Sequence, residues 1–229
     1  MVASTSIDPE VLKHLHLDIL PLATRKAFLA CSSLPFFSSG DWYLAGGTAL
    51  AIQVGHRQSV DLDFFTPNKT FDEKRVAEIL SESGKWETTS ISQGTLYGKF
   101  LSAKVSFISY PFFTPTKPFL QAGTISIITP SNVAAMKIVA ISQRGKKRDF
   151  IDLHWISQEV QPLWESIQQA ERQYSVSQNP NHLLKSLTYF EDAENDPLPD
   201  LFFKTSWAEV KKYFQREVPI IARKVIGLE

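Results

Sequence analysis

Two adjacent glycines, Gly46 and Gly47, separate a short apolar segment from a segment with helical character, and two aspartates follow at Asp61 and Asp63. Glycine lets the backbone approach a phosphate closely, and the amide groups at the start of a helix favour an anion. Side chains alternate along a strand, so Asp61 and Asp63 point the same way and together can hold a divalent metal on oxygen ligands. The pattern predicts a strand, a glycine turn into a helix and a second strand, which suits an enzyme that binds a nucleoside triphosphate through magnesium.

Each of these motifs also has a simpler interpretation. An Asp-x-Asp triplet is common by chance and usually marks the solvated face of a strand, and a tight turn before a helix explains two glycines equally well. The residues around the aspartates are apolar, namely Val60, Leu62, Phe64 and Phe65. They indicate a mostly buried strand, where an ionised carboxylate is costly unless a metal or a cation compensates it. The segment lacks the turn glycine and closing glutamate of an EF-hand calcium loop.

The composition is that of a globular protein without a global charge. Of 229 residues, 43% are hydrophobic and 12% are aromatic, which excludes disorder and allows one large domain or two modest ones. Lysine plus arginine equals aspartate plus glutamate at 24 each. No overall field therefore attracts nucleic acid, and RNA binding would need a local basic patch.

Cysteine content and targeting patterns indicate a compartment. The single cysteine, Cys31, excludes an internal disulfide and a cysteine-based zinc site, and fits a reducing environment. Met1–Glu10 has no basic region followed by an apolar run, so it does not resemble a secretory signal. No stretch approaches the ~20 apolar residues of a membrane span. We therefore expect a cytoplasmic protein with no membrane partner.

Helix and strand patterns alternate in the first half of the chain. Asp8-Pro9-Glu10 opens an amphipathic helix to about Leu20, and Thr70 with Glu73 forms a capping box for a helix over 71–83. Strands are predicted at Trp42–Ala45, at the segment of Asp61 and Asp63, and at Trp86–Ser92, Thr95–Leu101, Lys104–Ser109 and Thr124–Ile128.

From Thr129-Pro130-Ser131 onward the pattern is helical to the end of the chain. Breaks are predicted at Gly145, Pro162, Asn179-Pro180, Asn195–Pro199 and Pro219. The fold class is therefore α+β: a small mixed sheet with flanking helices in residues 1–128, followed by a mostly helical part in residues 129–229.

Two separated groups of motifs carry a family resemblance. The first contains Gly46-Gly47-Thr48-Ala49-Leu50, Gly55-His56-Arg57-Gln58-Ser59 and Asp61-Leu62-Asp63-Phe64-Phe65, and the second contains Lys137 and Arg144-Gly145-Lys146-Lys147-Arg148-Asp149-Phe150-Ile151-Asp152-Leu153. In this order they resemble the AbiEii/AbiGii toxin family of nucleotidyltransferases, within the DNA-polymerase-beta-like nucleotidyltransferase superfamily. The resemblance covers roughly Trp42–Trp155 and implies a nucleotidyltransferase-like sheet domain.

The resemblance implies nucleotide-binding roles in the first group. Gly46, Gly47 and Thr48 would form the turn that receives the triphosphate. Arg57 and Ser59 flank the metal strand, and either contact phosphate or only shape the turn.

The resemblance also implies a catalytic set. Asp61 and Asp63 would bind Mg²⁺ or Mn²⁺, Lys137 would lie along the triphosphate, and Asp149 would complete the set from the helical part. Metal held by two carboxylates polarises the α-phosphate and activates a hydroxyl for in-line displacement of pyrophosphate. A lysine supplies charge where the leaving phosphates accumulate it.

The residues of the second group have structural alternatives. Lys137 stands in an apolar helix and could extend to solvent. Asp149 and Asp152 share a helix face, and Asp149 could serve only the helix dipole. The basic run that includes Arg148 is either a solvated loop or a contact to nucleic acid.

Ser106 departs from the superfamily pattern, because a third carboxylate is expected at its position on the strand that begins at Lys104. A serine binds magnesium less well than a carboxylate. Either Asp149 supplies the missing charge, or the chain binds nucleotide and metal weakly.

Two functions follow as hypotheses. The first is a magnesium-dependent nucleotidyltransferase that moves a nucleoside monophosphate to an acceptor, with RNA and above all tRNA as the leading candidate. The resemblance implies that it is the toxin of a toxin–antitoxin or phage-defence pair with a cognate antitoxin. The alternative is a nucleotide-sensing or partner-binding module on the same fold with weak or no catalysis.

Overall fold

The structure is a computed structural model that describes residues 7–39 and 41–225. Residues 1–6, which make up most of the N-terminal segment Met1–Glu10, lie outside the described residues. The chain divides into two compact units, Met1–Thr129 and Pro130–Glu229. The roles assigned to residues 1–128, as a nucleotidyltransferase-like sheet domain, and to residues 129–229, as the part that supplies Lys137 and Asp149, stay predictions.

The first unit is a seven-stranded mixed sheet with helices around it. Its strands are β1 (Tyr43–Ala45), β2 (Leu62–Thr66), β3 (Trp86–Ser92), β4 (Thr95–Phe100), β5 (Ala103–Ser109), β6 (Leu120–Ala122) and β7 (Ile125–Ile127). They lie in the order β3-β4-β5-β2-β1-β7-β6, with β2–β5 and β1–β7 parallel and the other pairs antiparallel. The helices are α1 (Pro9–His14), a 3₁₀ turn (Leu17–Ile19), α2 (Leu22–Cys31), α3 (Phe36–Ser39), α4 (Gly46–Val54) and α5 (Glu73–Glu82).

Alternation along β2 gives the sheet one apolar and one polar face at its centre. Phe64 is buried and its ring lies 4.5 Å from that of Phe37 and 5.4 Å from that of Phe107. On the opposite face, Asp63 stands beside Ser106 in the parallel β2–β5 register. The aromatic core thus holds these strands in place from one side, and Asp63 and Ser106 stand on the opposite face together with Phe65.

The second unit is helical. Its helices are α6 (Pro130–Arg144), α7 (Lys147–Glu159), α8 (Leu163–Gln173), α9 (Pro180–Ser186), α10 (Glu191–Glu194) and α11 (Trp207–Val225). Buried Phe150 contacts the rings of Phe190, Trp207 and Phe214 at centroid distances of 5.2, 5.8 and 5.5 Å. None of the described helices combines the length and the apolar character needed to cross a membrane. A mixed sheet followed by helices confirms the predicted fold class.

Two predicted helix starts or ends are wrong. The first helix stops at His14 instead of Leu20, because the next residues are extended and the His16 amide donates to the Ile52 carbonyl at 2.8 Å. The N-cap of α5 is Asp72, not Thr70, since the Asp72 carboxylate accepts from the Arg75 amide. In both places a hydrogen bond seen only in the folded chain sets the end of the helix, and the local sequence pattern predicted a different residue.

Two further differences concern strands and proline. The strand predicted over 124–128 is confirmed as β7, but its antiparallel partner β6 was not predicted. The predicted break at Pro219 is wrong, because α11 continues through it. The apolar stripe of α11 is buried on both sides of the proline, at Val210, Phe214, Val218 and Ile221. Burial of this stripe outweighs the lost backbone hydrogen bond at the exposed proline.

The continuous helix predicts that Pro219→Ala stabilises the protein. Alanine restores an amide donor within α11, so the free energy of unfolding should rise, by up to about 3 kcal/mol. Urea unfolding followed by circular dichroism measures it. Lys212→Ala, at an exposed site of the same helix, is the control and should change it by less than about 0.5 kcal/mol. A Pro219→Ala protein no more stable than the parent would contradict a continuous α11.

Candidate active site

The turn from β1 into α4 requires glycine at its first position. Gly46 adopts a left-handed φ of +70°, and a Cβ atom on it would lie 3.3 Å from Asp63 Oδ2. This approach follows from the β1–β2 register, in which Ala45 stands opposite Asp63. The start of α4 therefore lies directly beside the Asp63 carboxylate.

The second glycine makes room for an arginine. A Cβ atom on Gly47 would collide with Arg57 Nη2 and lie 3.4 Å from Ser59 Oγ. Arg57 is buried, and its Nη1 donates to the Gln58 carbonyl at 2.8 Å. A guanidinium group thus lies against the backbone at the start of α4, where helix amides also favour an anion.

Thr48 connects the helix start to the aspartate segment. Its buried hydroxyl donates to the Asp61 carbonyl and shares a 2.8 Å hydrogen bond with the Ser59 hydroxyl. The Thr48 side chain therefore fixes the local geometry. What the first turn of α4 offers to a phosphate is its backbone N–H groups, which have no partner within the helix.

Asp61 and Asp63 stand half-buried at the start of β2. The Ser106 hydroxyl donates to Asp63 Oδ1 at 2.8 Å, so the serine occupies the place on β5 where the sequence led us to expect a carboxylate. Val60, predicted in a buried strand, is 47% exposed and precedes β2, because the strand begins only at Leu62. Across residues 7–39 and 41–225, no cluster of three or more His, Cys, Asp or Glu side chains could hold a metal.

Sequence reasoning missed three residues next to the carboxylates. A recess of about 220 Å³ is lined by both aspartates and Ser106 together with Tyr97, Lys99 and Lys104. These three come from β4 and β5, whose register places Tyr97 opposite Ser106 and Lys99 opposite Lys104. Alternation along the two strands predicts that these three side chains share a face, but only the strand register shows that this face lies beside Asp63.

The predicted residues of the second motif group form their own cluster within the helical unit. Lys137 Nζ lies 2.5 Å from Asp149 Oδ1 and 2.7 Å from Asp152 Oδ2, and Arg144 Nε lies 3.2 Å from Asp149 Oδ2. Both carboxylates are fully buried and Lys137 is 5% exposed. The alternative that Lys137 extends to solvent is therefore wrong. That Lys137 and Asp149 act together with Asp61 and Asp63 stays a prediction.

The charges of this cluster change the acidity of Asp149. Burial by itself raises the pKa of the Asp149 carboxyl, but the charges of Lys137 and Arg144 and the Lys137 hydrogen bond bring the pKa below its ordinary value. The folded state therefore favours the ionised carboxylate. An ionised Asp149 needs Lys137 beside it, because an unpaired buried charge is costly.

The basic run before Asp149 is not simply a solvated loop. Lys147 is buried, and its Nζ donates to the carbonyls of Glu194, at 3.0 Å, and Asp196. Lys146 pairs with the Asp196 carboxylate at 3.2 Å, whereas Arg148 is exposed. Lys146 and Lys147 thus connect the start of α7 to the 194–196 segment. The exposed Arg148 is the part of the run that can reach a ligand.

Solved structures define the class of fold. MenT4, a nucleotidyltransferase toxin of Mycobacterium tuberculosis H37Rv, superimposes with a TM-score of 0.52 and 16% identity over 93% of this chain and 88% of that chain. An antigenic nucleotidyltransferase-like protein of Paracoccidioides brasiliensis has a TM-score of 0.41 and 15% identity over 67% of this chain and 89% of that chain. The likeness to MenT4 shows that the chain has the nucleotidyltransferase toxin fold.

Sequence comparison gives the family. The protein aq_aa25 of Aquifex aeolicus (strain VF5) is 35% identical over 184 residues, which are 78% of this chain and 86% of that protein. The family described as nucleotidyl transferase AbiEii toxin, type IV TA system, matches residues 28–93 and 103–224. The chain belongs to this AbiEii family of nucleotidyltransferase toxins, which confirms the resemblance seen in its motifs.

The buried cluster predicts a pH-dependent effect of Lys137→Met. The substitution leaves Asp149 and Asp152 buried without the lysine, so the free energy of unfolding at pH 7 should fall by about 3–5 kcal/mol. The lowered pKa of Asp149 in the parent means that its ionised form stabilises the folded state above an unfolded pKa of about 3.9, and that this contribution is lost as the pH falls through the folded pKa.

The deficit of the variant should therefore shrink as the pH falls below about 4, because the parent then loses the stability that the ionised Asp149 contributes. Urea unfolding between pH 7 and acidic pH measures it, with Lys212→Met at an exposed site as the matched control. A deficit of equal size at both ends of this range would show that Lys137 does not act through the two carboxylates.

Proposed function

We propose that this protein is a divalent-metal-dependent nucleotidyltransferase that moves a nucleoside monophosphate from a nucleoside triphosphate to an acceptor hydroxyl. The observation that carries the proposal is the approach of Asp63 to the glycine turn, where a Cβ atom on Gly46 would lie 3.3 Å from the carboxylate. An anion-binding helix start and a metal-binding carboxylate are thus adjacent, as a metal-bound triphosphate requires.

The residues present fit magnesium. Mg²⁺ in nucleotide enzymes is usually held by one or two carboxylates and completes its octahedron with substrate phosphates and water. Asp61, just before β2, and Asp63 within it supply such a pair at one recess, and the Ser106 hydrogen bond fixes the Asp63 oxygen. When bound, Mg²⁺ or Mn²⁺ would polarise the α-phosphate and lower the pKa of the attacking hydroxyl.

The protein's own groups would hold the triphosphate in line. The N–H groups of Gly46, Gly47 and Thr48 bind phosphate oxygens, and the Arg57 guanidinium adds positive charge beside them. An acceptor hydroxyl oxygen forms a bond to the α-phosphorus and gives up its proton to water, while the bond to the bridging oxygen breaks and pyrophosphate leaves. Ser59 contributes indirectly by holding Thr48.

We assign the helical unit a supporting role by family resemblance. Lys137 would neutralise charge on the leaving phosphates, and Asp149 would complete the catalytic set with Asp152 and Arg148 as secondary residues. The two buried carboxylates hold the Lys137 ammonium at 2.5 and 2.7 Å, which gives it a defined position. Such a preorganised cation needs little rearrangement during transfer.

The biological role that we propose is that of a toxin in a toxin–antitoxin or phage-defence pair. Membership of the AbiEii family supports it, and it implies a cognate antitoxin as partner. RNA is the acceptor class that we favour, with tRNA as the leading candidate, and modification of tRNA would block translation in the cytoplasm.

The proposal predicts that Asp63→Asn abolishes transfer. The substitution removes a charged metal ligand but keeps the size of the side chain and an oxygen that can accept from Ser106. Loss of several kcal/mol of transition-state stabilisation corresponds to a rate lower by about 1,000-fold or more. Incubation with labelled nucleotide, magnesium and total RNA measures transfer, and growth after induction measures toxicity. Asp72→Asn, at an exposed helix cap, is the control and should keep both activities. An Asp63→Asn protein that transfers label at the parental rate would exclude this site.

Ser106 favours a second candidate, a module that binds nucleotide without transferring it. A hydroxyl stands where a third carboxylate would strengthen metal binding. Tight nucleotide binding with no labelled product in the parent protein would support the module.

The two candidates also differ in the effect of Ser106→Asp. If a weak metal site limits transfer, the added carboxylate should tighten Mn²⁺ binding and raise the transfer rate at low metal concentration, by roughly tenfold for each 1.4 kcal/mol of added stabilisation. Ser106→Asn is the neutral control of similar size. In a module without catalysis, Mn²⁺ binding should tighten and no product should appear.

A further inference from the structure

Two lysines face each other on the polar side of the sheet. Lys99 on β4 and Lys104 on β5 are directly opposite in the antiparallel register, and both are exposed. Like charges at opposed positions destabilise a strand pair. Glu87 on β3 stands opposite Lys99, yet neither lysine forms a salt bridge within the described residues. Two lysine ammonium groups thus stand side by side at this place on the sheet.

An aromatic ring lies beside this pair, in the same row of the sheet as Asp63. Tyr97 is two residues from Lys99 on the same side of β4, stands opposite Ser106 and is 41% exposed. Ser106 donates to Asp63 on the next strand. Successive rows on one face of a strand are about 6.8 Å apart. The lysine pair, the ring and the two carboxylates therefore lie in adjacent rows of the sheet, and all of them line the same recess of about 220 Å³.

We propose that this surface, made of Tyr97, Lys99 and Lys104, binds the single-stranded end of an RNA acceptor and presents its terminal hydroxyl to Asp61 and Asp63. The inference rests on the proposed function and names the path by which the acceptor enters. The lysines bind backbone phosphates, and the tyrosine ring stacks on an unpaired base.

The chemistry of the surface selects this ligand. With a formal net charge of zero, the chain needs a local basic patch to attract RNA. An exposed ring can stack only on a base that is not already stacked in a duplex, and the recess is small. A single strand satisfies both the cationic and the aromatic part of the surface, whereas an acidic protein segment would leave the ring without a planar partner.

The first test measures binding of a short fluorescent single-stranded RNA at several salt concentrations, without nucleotide. Loss of two phosphate contacts in Lys99→Gln/Lys104→Gln should reduce the slope of log K against log salt by about 1.4, since each phosphate on a single strand contributes about 0.7. The control Lys74→Gln/Lys85→Gln makes the same charge change at exposed positions of the same unit that do not line the recess, and should leave the slope unchanged. Parental RNA affinity in the Lys99/Lys104 variant would overturn the inference.

The second test separates stacking from charge. Tyr97→Ala should weaken RNA binding by about 5-fold to 100-fold, and Tyr97→Phe should retain it. In transfer assays, the lysine variant should raise the acceptor KM and leave the KM for nucleotide unchanged. Equal losses in the alanine and phenylalanine variants, or binding of duplex RNA as tight as that of single strands, would also overturn it.

These results are independent of the catalytic proposal. Asp63→Asn should still bind the RNA while failing to transfer. If no protein transfers label but the lysine and tyrosine effects on RNA binding hold, the surface stands and the catalytic assignment fails. If transfer depends on Asp63 but the RNA affinity is unchanged by substitution of Tyr97, Lys99 and Lys104, the catalytic assignment stands and the acceptor enters elsewhere.

Discussion

The contact between the glycine turn and Asp63 is the constraint on which the rest of the site depends. The antiparallel register of β1 and β2 brings the start of α4 to the carboxylate, and only a residue without a side chain fits between them. Thr48 then ties the helix start to the aspartate segment through Ser59 and the Asp61 carbonyl. A helix start that attracts anions and a carboxylate that attracts metal thus become neighbours, and a metal-bound triphosphate matches both.

Charge is arranged differently in the two units. In the first, Asp61, Asp63 and the exposed lysines Lys99 and Lys104 line a recess and leave charge available to ligands. In the second, Lys137 and Arg144 balance the buried pair Asp149 and Asp152, which keeps Asp149 ionised. A buried balanced cluster is costly to disrupt, so its residues are held in fixed positions. Aromatic packing also holds β2 in position. Phe64 packs against the rings of Phe37 and Phe107, and alternation along the strand puts Asp63 on the opposite face.

The sequence predicts what depends on local pattern and misses what depends on register or burial. Strand and helix patterns were enough to predict the fold class, and two separated motif groups were enough to predict the family. In the structure, Asp63 lies beside the glycine turn. Lys99 and Lys104 escaped notice because only the hairpin register aligns them with the carboxylates. Lys137 was open to a solvent-exposed interpretation because its partners lie on the next helix. Proline lacks an amide donor and usually ends a helix, so a break was predicted at Pro219. The buried apolar stripe of α11, which the sequence pattern alone does not reveal, explains why the helix continues.

A crystal structure of the protein with a non-hydrolysable nucleoside triphosphate and Mg²⁺ would test directly whether the start of α4 and the two aspartates form one site. We expect phosphate oxygens on the N–H groups of Gly46, Gly47 and Thr48, with the metal bound by Asp61 and Asp63 and by the same phosphates. A nucleotide whose phosphates bind away from the start of α4, or a metal that contacts neither aspartate, would contradict it.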